Sequence, residues 1–358
     1  MGFFGAGSTT STSHEPAAVR PSAPAIVDGV VDGVASEHPS APIPVQGPGV
    51  GRGVRVSLGE TGLSVFPLFL GGGEFGWHVD SGAAHGILDA YAERGGNALH
   101  TSDGYSAGRS EHIIGQWMSS RRVRNDLVLG VRVGSNPDHP GLGSVNLIRA
   151  VESSLTRLQT DRIDLLYLDA GSDSVTALED TLATAEWLVE SGKVRALGAF
   201  GHTAAQLVEA RILASAGYPR LTVLDVPYNI LRRQHLDGDL RLVAGAQGIA
   251  VTASQAMEHG FLAGAHRSRA HMSASVRGAQ LSAAMNRRGS RTLRALDRIG
   301  AELSVPPAAI AIAWLLAQRV IAAPIVNVFA ASHVDEVMQG VGVRLNRTQL
   351  TEIARASE

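Results

Sequence analysis

Apolar positions in the first fifty residues come as isolated dyads, Ile26-Val27 and Val30-Val31, with no run of period 2 or 3.6 around them. Between them lie Gly, Ser, Thr, Pro, Ala and His, a composition that buries too little apolar surface to offset the entropy of ordering. Residues 1–53 are therefore read as a disordered N-terminal tail. From Val54 the pattern changes to short apolar runs alternating with longer stretches in which apolar residues recur every three or four positions. That alternation is the signature of repeated strand-helix units. After a small hairpin, strands are predicted over residues 63–70, 98–102, 127–133, 163–168, 194–199, 221–226, 249–253 and 324–329. Helices are predicted over 83–93, 110–118, 145–158, 175–190, 204–214, 236–246, 292–303, 307–317 and 333–339. Ser110 with Glu111, and Ser332 with Asp335, read as helix openings, a hydroxyl at the cap and a carboxylate at the positive end of the dipole.

Eight such units in roughly 300 residues fit a closed (β/α)8 TIM barrel over 54–358 better than an open sheet. In that architecture the chemistry sits where the strands end. The residues there are Gly72 and Gly73, His100 to Tyr105, Arg132, Asp169, Phe200 to His202, Asp225 and Tyr228, Ala253 to Gln255, and Asn327 to Ser332.

Composition narrows the chemistry. With 44% apolar residues and a net charge of -2, the chain can bury a sizeable core and has no bias toward polyanions, so nucleic acid is not an expected partner. The chain has no cysteine, which excludes disulfides, thiolate zinc sites, iron-sulfur clusters and a cysteine nucleophile. The N-terminus lacks the basic and apolar regions of a secretory signal, and the longest apolar run, 308–317, stops at Gln318 and Arg319, short of the roughly 20 residues a membrane span needs. A soluble cytoplasmic protein without a membrane partner is expected. Lys193 is the only lysine among 31 basic side chains, so any other cationic role falls to arginine, whose charge is fixed. His259, His266 and His271 with Glu258 match no metal-ligand spacing, and no metal is expected. Arg267, Arg269, Arg277, Arg287, Arg288 and Arg291 make one segment basic; it is read as solvated surface or as a loop that reaches over the barrel mouth to hold an anion.

Several motifs in order resemble the aldo-keto reductases, over essentially all of 54–356. They are Gly96-Asn97-Ala98-Leu99 through Tyr105, Gly108-Arg109-Ser110-Glu111 with Ile114-Gly115, Ser154 to Asp161 with Ile163-Asp164-Leu165, Gly192-Lys193-Val194-Arg195, Pro227-Tyr228-Asn229, and Gly260 to Gly264. The resemblance implies hydride transfer between a nicotinamide cofactor, NAD or NADP, and a small-molecule carbonyl or alcohol. It implies a tyrosine as proton donor, tuned by an aspartate and a lysine, and a histidine that orients the carbonyl. Carried onto this chain, the tyrosine is Tyr105, while His100 stands at the aspartate position, Arg132 at the lysine position and Asp169 at the histidine position. Acid and imidazole are exchanged, and the nominal charge balance is kept. Lys193 precedes a strand and belongs to the opposite end of the barrel. On the cofactor side, Phe200 and Asp225 stand at carboxamide-binding positions and Ala253 at that of the stacking ring. The segment with Ser332, His333 and Glu336 resembles the loop that seats phosphate on a helix N-terminus. Glu336 near the ribose favours NAD, because a carboxylate repels a 2'-phosphate.

Three functions remain open on the sequence. One is an oxidoreductase with a divergent site: Tyr105 is the acid, Arg132 lowers its pKa, and His100 and Asp169 polarise the substrate. Another is a catalytically silent barrel serving a protein partner as a binding or regulatory subunit. The third is a redox-neutral lyase or isomerase using the same group.

Overall fold

The computed structural model of the protein describes residues 51–173, 175–265, 267 and 278–358; the predicted tail lies outside them except for residues 51–53. Gly51 donates its N–H to Ala92 O, which ties the start of the described chain to the barrel. Strands β1 (Val56–Ser57) and β2 (Ser64–Val65) form an antiparallel hairpin. The stretch 63–70, expected as one strand, divides there. Pro67 has no N–H for a ladder and the N–H of Phe66 goes to Asn97 Oδ1, so only β3 (Phe69–Gly71) enters the barrel.

The remaining strands are β4 (Ala98–Ser102), β5 (Val128–Val133), β6 (Ile163–Asp169), β7 (Val194–Phe200), β8 (Leu221–Pro227), β9 (Ala250–Ser254) and β10 (Ile321–Asn327). They close in the order β10-β3-β4-β5-β6-β7-β8-β9, every pair parallel, which is the (β/α)8 barrel. Leu58, Leu63 and Val65 of the hairpin share one buried cluster with Phe69, Val128, Leu165 and Val223 of the barrel strands, so the hairpin plugs the N-terminal end. Above that plug the lumen is filled by Tyr167. A Cβ at Gly198 would lie 2.6 Å from its ring and one at Gly130 3.2 Å, so two glycines make room for one phenol.

Outside the barrel lie α1 (Ser81–Glu93), α2 (Arg109–Arg121), α3 (Ser144–Leu158), α4 (Leu178–Glu190), α5 (Ala204–Ser215) and α6 (Asp239–Ala246). They are followed by α7 (Gly278–Ala284), α8 (Arg287–Leu303), α9 (Pro307–Leu316), α10 (Ala331–Gly342) and α11 (Arg347–Ala356). Two expected caps are corrected. Helix α2 opens at Gly108, which is left-handed (φ 84°), and Ser110 lies in the first turn, donating its hydroxyl to Gly72 O at 2.8 Å. Helix α10 opens at Ala330, Ser332 lies in its first turn, and Asp335 pairs with Arg94. Helix α11 was not expected; Asn346 and Gln349 open it with a reciprocal capping box.

The basic segment is described in part, with Arg267, Arg287 and Arg291 exposed. Helix α8 turns Arg288 and Arg291 toward Ser357 O and Ala356 O at the C-terminus, and Arg267 pairs with Asp297. Arg269, Arg277, His266 and His271 lie outside the described residues. Among the described residues no single helix is long and apolar enough to cross a membrane.

Candidate active site at the barrel mouth

The C-terminal strand ends converge on a cavity of about 250 Å3. Tyr105 lines it from the turn after β4 and Arg132 from β5, Phe200 from the end of β7, Ser254 from β9, and Asn327 from β10. Glu74, Met257, His259 and Phe329 complete much of the wall. The sequence pointed to strand ends and so to Asn327 and Ser254, but not to Glu74, which follows three glycines. Those glycines have a physical reason. A Cβ on Gly71 would fall 2.1 Å from Asn327 Oδ1, one on Gly72 2.5 Å from Ser110 Oγ and one on Gly73 2.9 Å from Asn327 Nδ2, and Gly73 also donates its N–H to Asn327 Oδ1.

Both loops that form the walls carry left-handed backbone. Ser106 (φ 52°) and Ala107 (φ 54°) follow Tyr105 directly, and Glu258 (φ 44°) and His259 (φ 57°) stand on the opposite side. Non-glycine residues hold such angles at a cost of about 1–3 kcal/mol each, and only where surrounding contacts impose them. Ser106 supplies one such contact, donating to Phe75 O at 3.1 Å. The phenol is thereby presented from a constrained turn.

The Arg132 guanidinium carbon lies 4.2 Å from the ring centre of Phe200 and 5.4 Å from that of Tyr105. Its Nε is 3.6 Å from Asp169 Oδ2, an ion pair without a hydrogen bond. Burial opposes the charge on Arg132, yet Tyr105, Asp225 and Asp169 around it hold its pKa above the usual guanidinium value. Burial pushes the Tyr105 phenol up; Arg132 pulls it down, Asp225 and Asp169 push it up again, and the balance lies above the ordinary phenol range. Asp169 is raised too, by burial against the pull of Arg132 and the N–H groups of Gly171 and Ser172.

Beneath the mouth, His100 Nε2 and Asp225 Oδ2 face each other at 3.8 Å, both side chains fully enclosed. None of the four polar atoms of this pair has a partner at hydrogen-bonding geometry. Burial, assisted by Arg132, drives His100 down to about 3, so the imidazole is neutral. Burial drives Asp225 up to about 6, against the pull of Arg132 and Ser254. Asp169 faces Arg132 rather than His100.

The structure thus gathers His100, Tyr105, Arg132, Asp169, Phe200 and Asp225. Ser332, His333 and Glu336 stand apart on α10, the first two exposed, and none of them lines the cavity. With Ala330 at the cap, no side chain satisfies the first-turn N–H groups of that helix. Lys193 lies at the N-terminal end of β7, paired with Glu152, as its place in the sequence implies. Among the described residues no group of three His, Asp or Glu is placed to hold a metal ion.

A closed parallel barrel with a phenol and a cation at its C-terminal mouth defines the class of the molecule, and comparison with known proteins gives the family. The model of the aldo/keto reductase family matches residues 67–358. Norsolorinic acid reductase B of Aspergillus parasiticus is 27% identical over 83% of this chain and 82% of its own length. The aldo-keto reductase ausK of Aspergillus calidoustus is 29% identical over 83% and 80%. A probable voltage-gated potassium channel subunit beta of Oryza sativa subsp. japonica is 26% identical over 80% and 90%. The chain belongs to the aldo/keto reductase family.

Proposed function

We propose that this protein interconverts a small carbonyl compound and its alcohol with NAD or NADP at the barrel mouth, with Tyr105 as the proton donor. One observation carries the reading: a protonated phenol and a fixed cation share the wall of one cavity where the strands end. The cofactor positions fit in part. The first turn of α10 has no side-chain cap, and with Ser332 and His333 exposed beside it, its N-terminal end can face a diphosphate. Glu336, half-buried on the same helix, favours the free ribose hydroxyl of NAD. Phe200 offers a ring face at the nicotinamide end, and the cofactor, when bound, supplies the hydride.

The chain's own residues do the rest. Tyr105 Oη gives its proton to the carbonyl oxygen as charge grows there, and its raised pKa keeps that proton in place at neutral pH. Arg132 offsets the developing negative charge without giving up a proton, and the surrounding aromatic rings exclude water from it. Asp169 restrains the guanidinium from the side. His100 is neutral and adds polarity beneath the phenol rather than charge.

A second reading, the silent barrel with a protein partner, is favoured by Asp225. At a carboxamide-binding position, it lies fully buried beside His100 and does not line the cavity. The relatives named as potassium channel beta subunits add weight to a partner role. Tyr105→Phe separates the readings. It should lower aldehyde reduction at least about a hundredfold with the circular dichroism unchanged, and unaltered turnover would remove Tyr105 from the mechanism. Absence of NADH and NADPH binding in calorimetry up to millimolar concentration would favour the silent barrel.

A further inference from the structure

Arg132 is a cation in search of an acceptor. Its side chain is only 15% exposed, yet it donates no hydrogen bond to any described residue. The nearby acids are all engaged elsewhere or out of reach. Asp169 stays at 3.6 Å from Nε, while Asp103 accepts from Gly134 N at 2.9 Å and Ser135 Oγ at 3.1 Å. Asp225 faces His100. The rings of Phe200 and Tyr105 pack against the guanidinium, and an arginine packed in this way makes its hydrogen bonds in the plane, at its edge. A buried charged donor left without an acceptor costs more than any other unpaired group in a site. Nε is enclosed, so the exposed part of the side chain lies in its other atoms, and Arg132 lines the cavity.

We infer that this cavity is a binding site for a small monocarboxylate, seated on the edge of Arg132. A carboxylate matches the guanidinium fork with two parallel hydrogen bonds. Asn327, whose Oδ1 is taken by Gly73, keeps its Nδ2 donor for the same ligand, and Ser254 adds a hydroxyl to the wall. Met257, Ile325 and Phe200 give the lining an apolar part, and Glu74, Gln255 and His259 share the wall with them. Single charge follows from the surroundings. Three carboxyl groups, Asp103, Asp169 and Asp225, act on Arg132, so a dianion such as a phosphate ester would meet more repulsion than one guanidinium offsets. Size follows from the volume: 250 Å3 is room for about eight waters at 30 Å3 each, and so for a compact acid. If the proposed reductase chemistry holds, the carboxylate belongs to the carbonyl substrate. Only that identification rests on the reductase reading; the binding site does not.

The test uses the full chain and an isosteric pair, benzoate and benzamide, in calorimetric titration. Benzoate is expected to bind at least about tenfold more tightly than benzamide, the margin of one or two charge-assisted hydrogen bonds. Arg132→Met should abolish the margin, and Arg132→Lys should keep part of it. Equal affinities in the unaltered protein, no benzoate binding, or a margin that survives Arg132→Met each overturn the inference. If Arg132→Met fails to fold, the benzoate and benzamide comparison and Arg132→Lys still decide. Benzoate has no reducible carbonyl, so the two proposals fail separately. Selective benzoate binding without turnover of any aldehyde sinks the reductase reading alone, and turnover of neutral aldehydes without selective binding sinks this one alone.

Discussion

His100 and Asp225 exchange the usual protonation states of their types, and the exchange hides itself from the solution pH. In the unfolded chain an Asp ionises near 4 and a His loses its proton near 6.5. In the folded protein His100 is driven to about 3 and Asp225 to about 6. Between pH 4 and 6 the folded pair therefore holds one proton on Asp225, and the unfolded pair holds one on His100. Equal proton counts mean no pH slope from the pair. Removing one partner exposes the other. In Asp225→Asn only His100 remains, its folded pKa is depressed, and stability should rise with pH up to 6.5 by as much as about 1.4 kcal/mol per pH unit relative to wild type. In His100→Gln the raised Asp225 remains, and stability should fall as pH rises from 4 to 6. Urea midpoints at pH 4.5, 5.5 and 6.5 measure this; parallel curves for all three proteins would refute the neutral pair. The sequence made His100, Tyr105, Arg132 and Asp169 legible as one group, because each lies within a strand's last three residues or in the turn just after it. It did not show that His100 looks across the lumen to Asp225 on β8 rather than to Asp169 on β6. Strand ends are read along the chain, whereas facing residues depend on how the closed sheet staggers.

At the scale of elements, apolar periodicity located the barrel strands and most helices, and the errors fall where a local contact overrides the pattern. Ser110 reads as a cap, but its hydroxyl is drawn to Gly72 O and Thr101 Oγ1 at the ends of β3 and β4, so the helix starts earlier at a glycine. Helix α11 is short, and its signal is the Asn346 and Gln349 capping box rather than a long apolar stripe. Close approaches between helices leave a clearer trace, a glycine in the middle of a helix. Gly340 of α10 lies so near α9 that a Cβ there would fall 2.5 Å from Ala309 O and 2.6 Å from Ile312 Cβ. The Ala309 carbonyl belongs to the helix backbone and has little room to retreat. Gly340→Ala should therefore destabilise the protein by about 1–3 kcal/mol despite the better helix propensity of alanine, seen as a lower urea midpoint. A neutral or stabilising result would show that α9 and α10 separate freely.

Across the whole molecule, part of the motifs that carry the family resemblance holds the scaffold together at the end of the barrel away from the candidate site. Asp164, second residue of β6, is completely buried and pairs with Arg124 at 2.9 Å, Arg195 at 3.0 Å and Arg162 at 3.9 Å. It also accepts the N–H of Leu129, so one carboxylate joins β5, β6 and β7 near the N-terminal face. Glu111 and Arg157, from two motifs far apart in sequence, pair across α2 and α3. Asp164 sits at the face where barrels build stability, and Arg132 and Tyr105 sit at the face where barrels build activity. The division predicts separable effects. Asp164→Asn keeps the shape but takes the anion from the largely buried Arg124 and from the exposed Arg195, while Arg162 keeps Asp161, which should cost about 3 kcal/mol of unfolding free energy. The same variant, assayed below its lowered melting temperature, should retain the preference for benzoate over benzamide, because Asp164 lies at the opposite end of β6 from the mouth. Unfolding by urea and calorimetric titration of one protein sample measure both halves. Loss of selectivity in a folded Asp164→Asn protein would mean that the N-terminal charge cluster sets the geometry of the mouth, and the two ends of the barrel would then be one coupled unit.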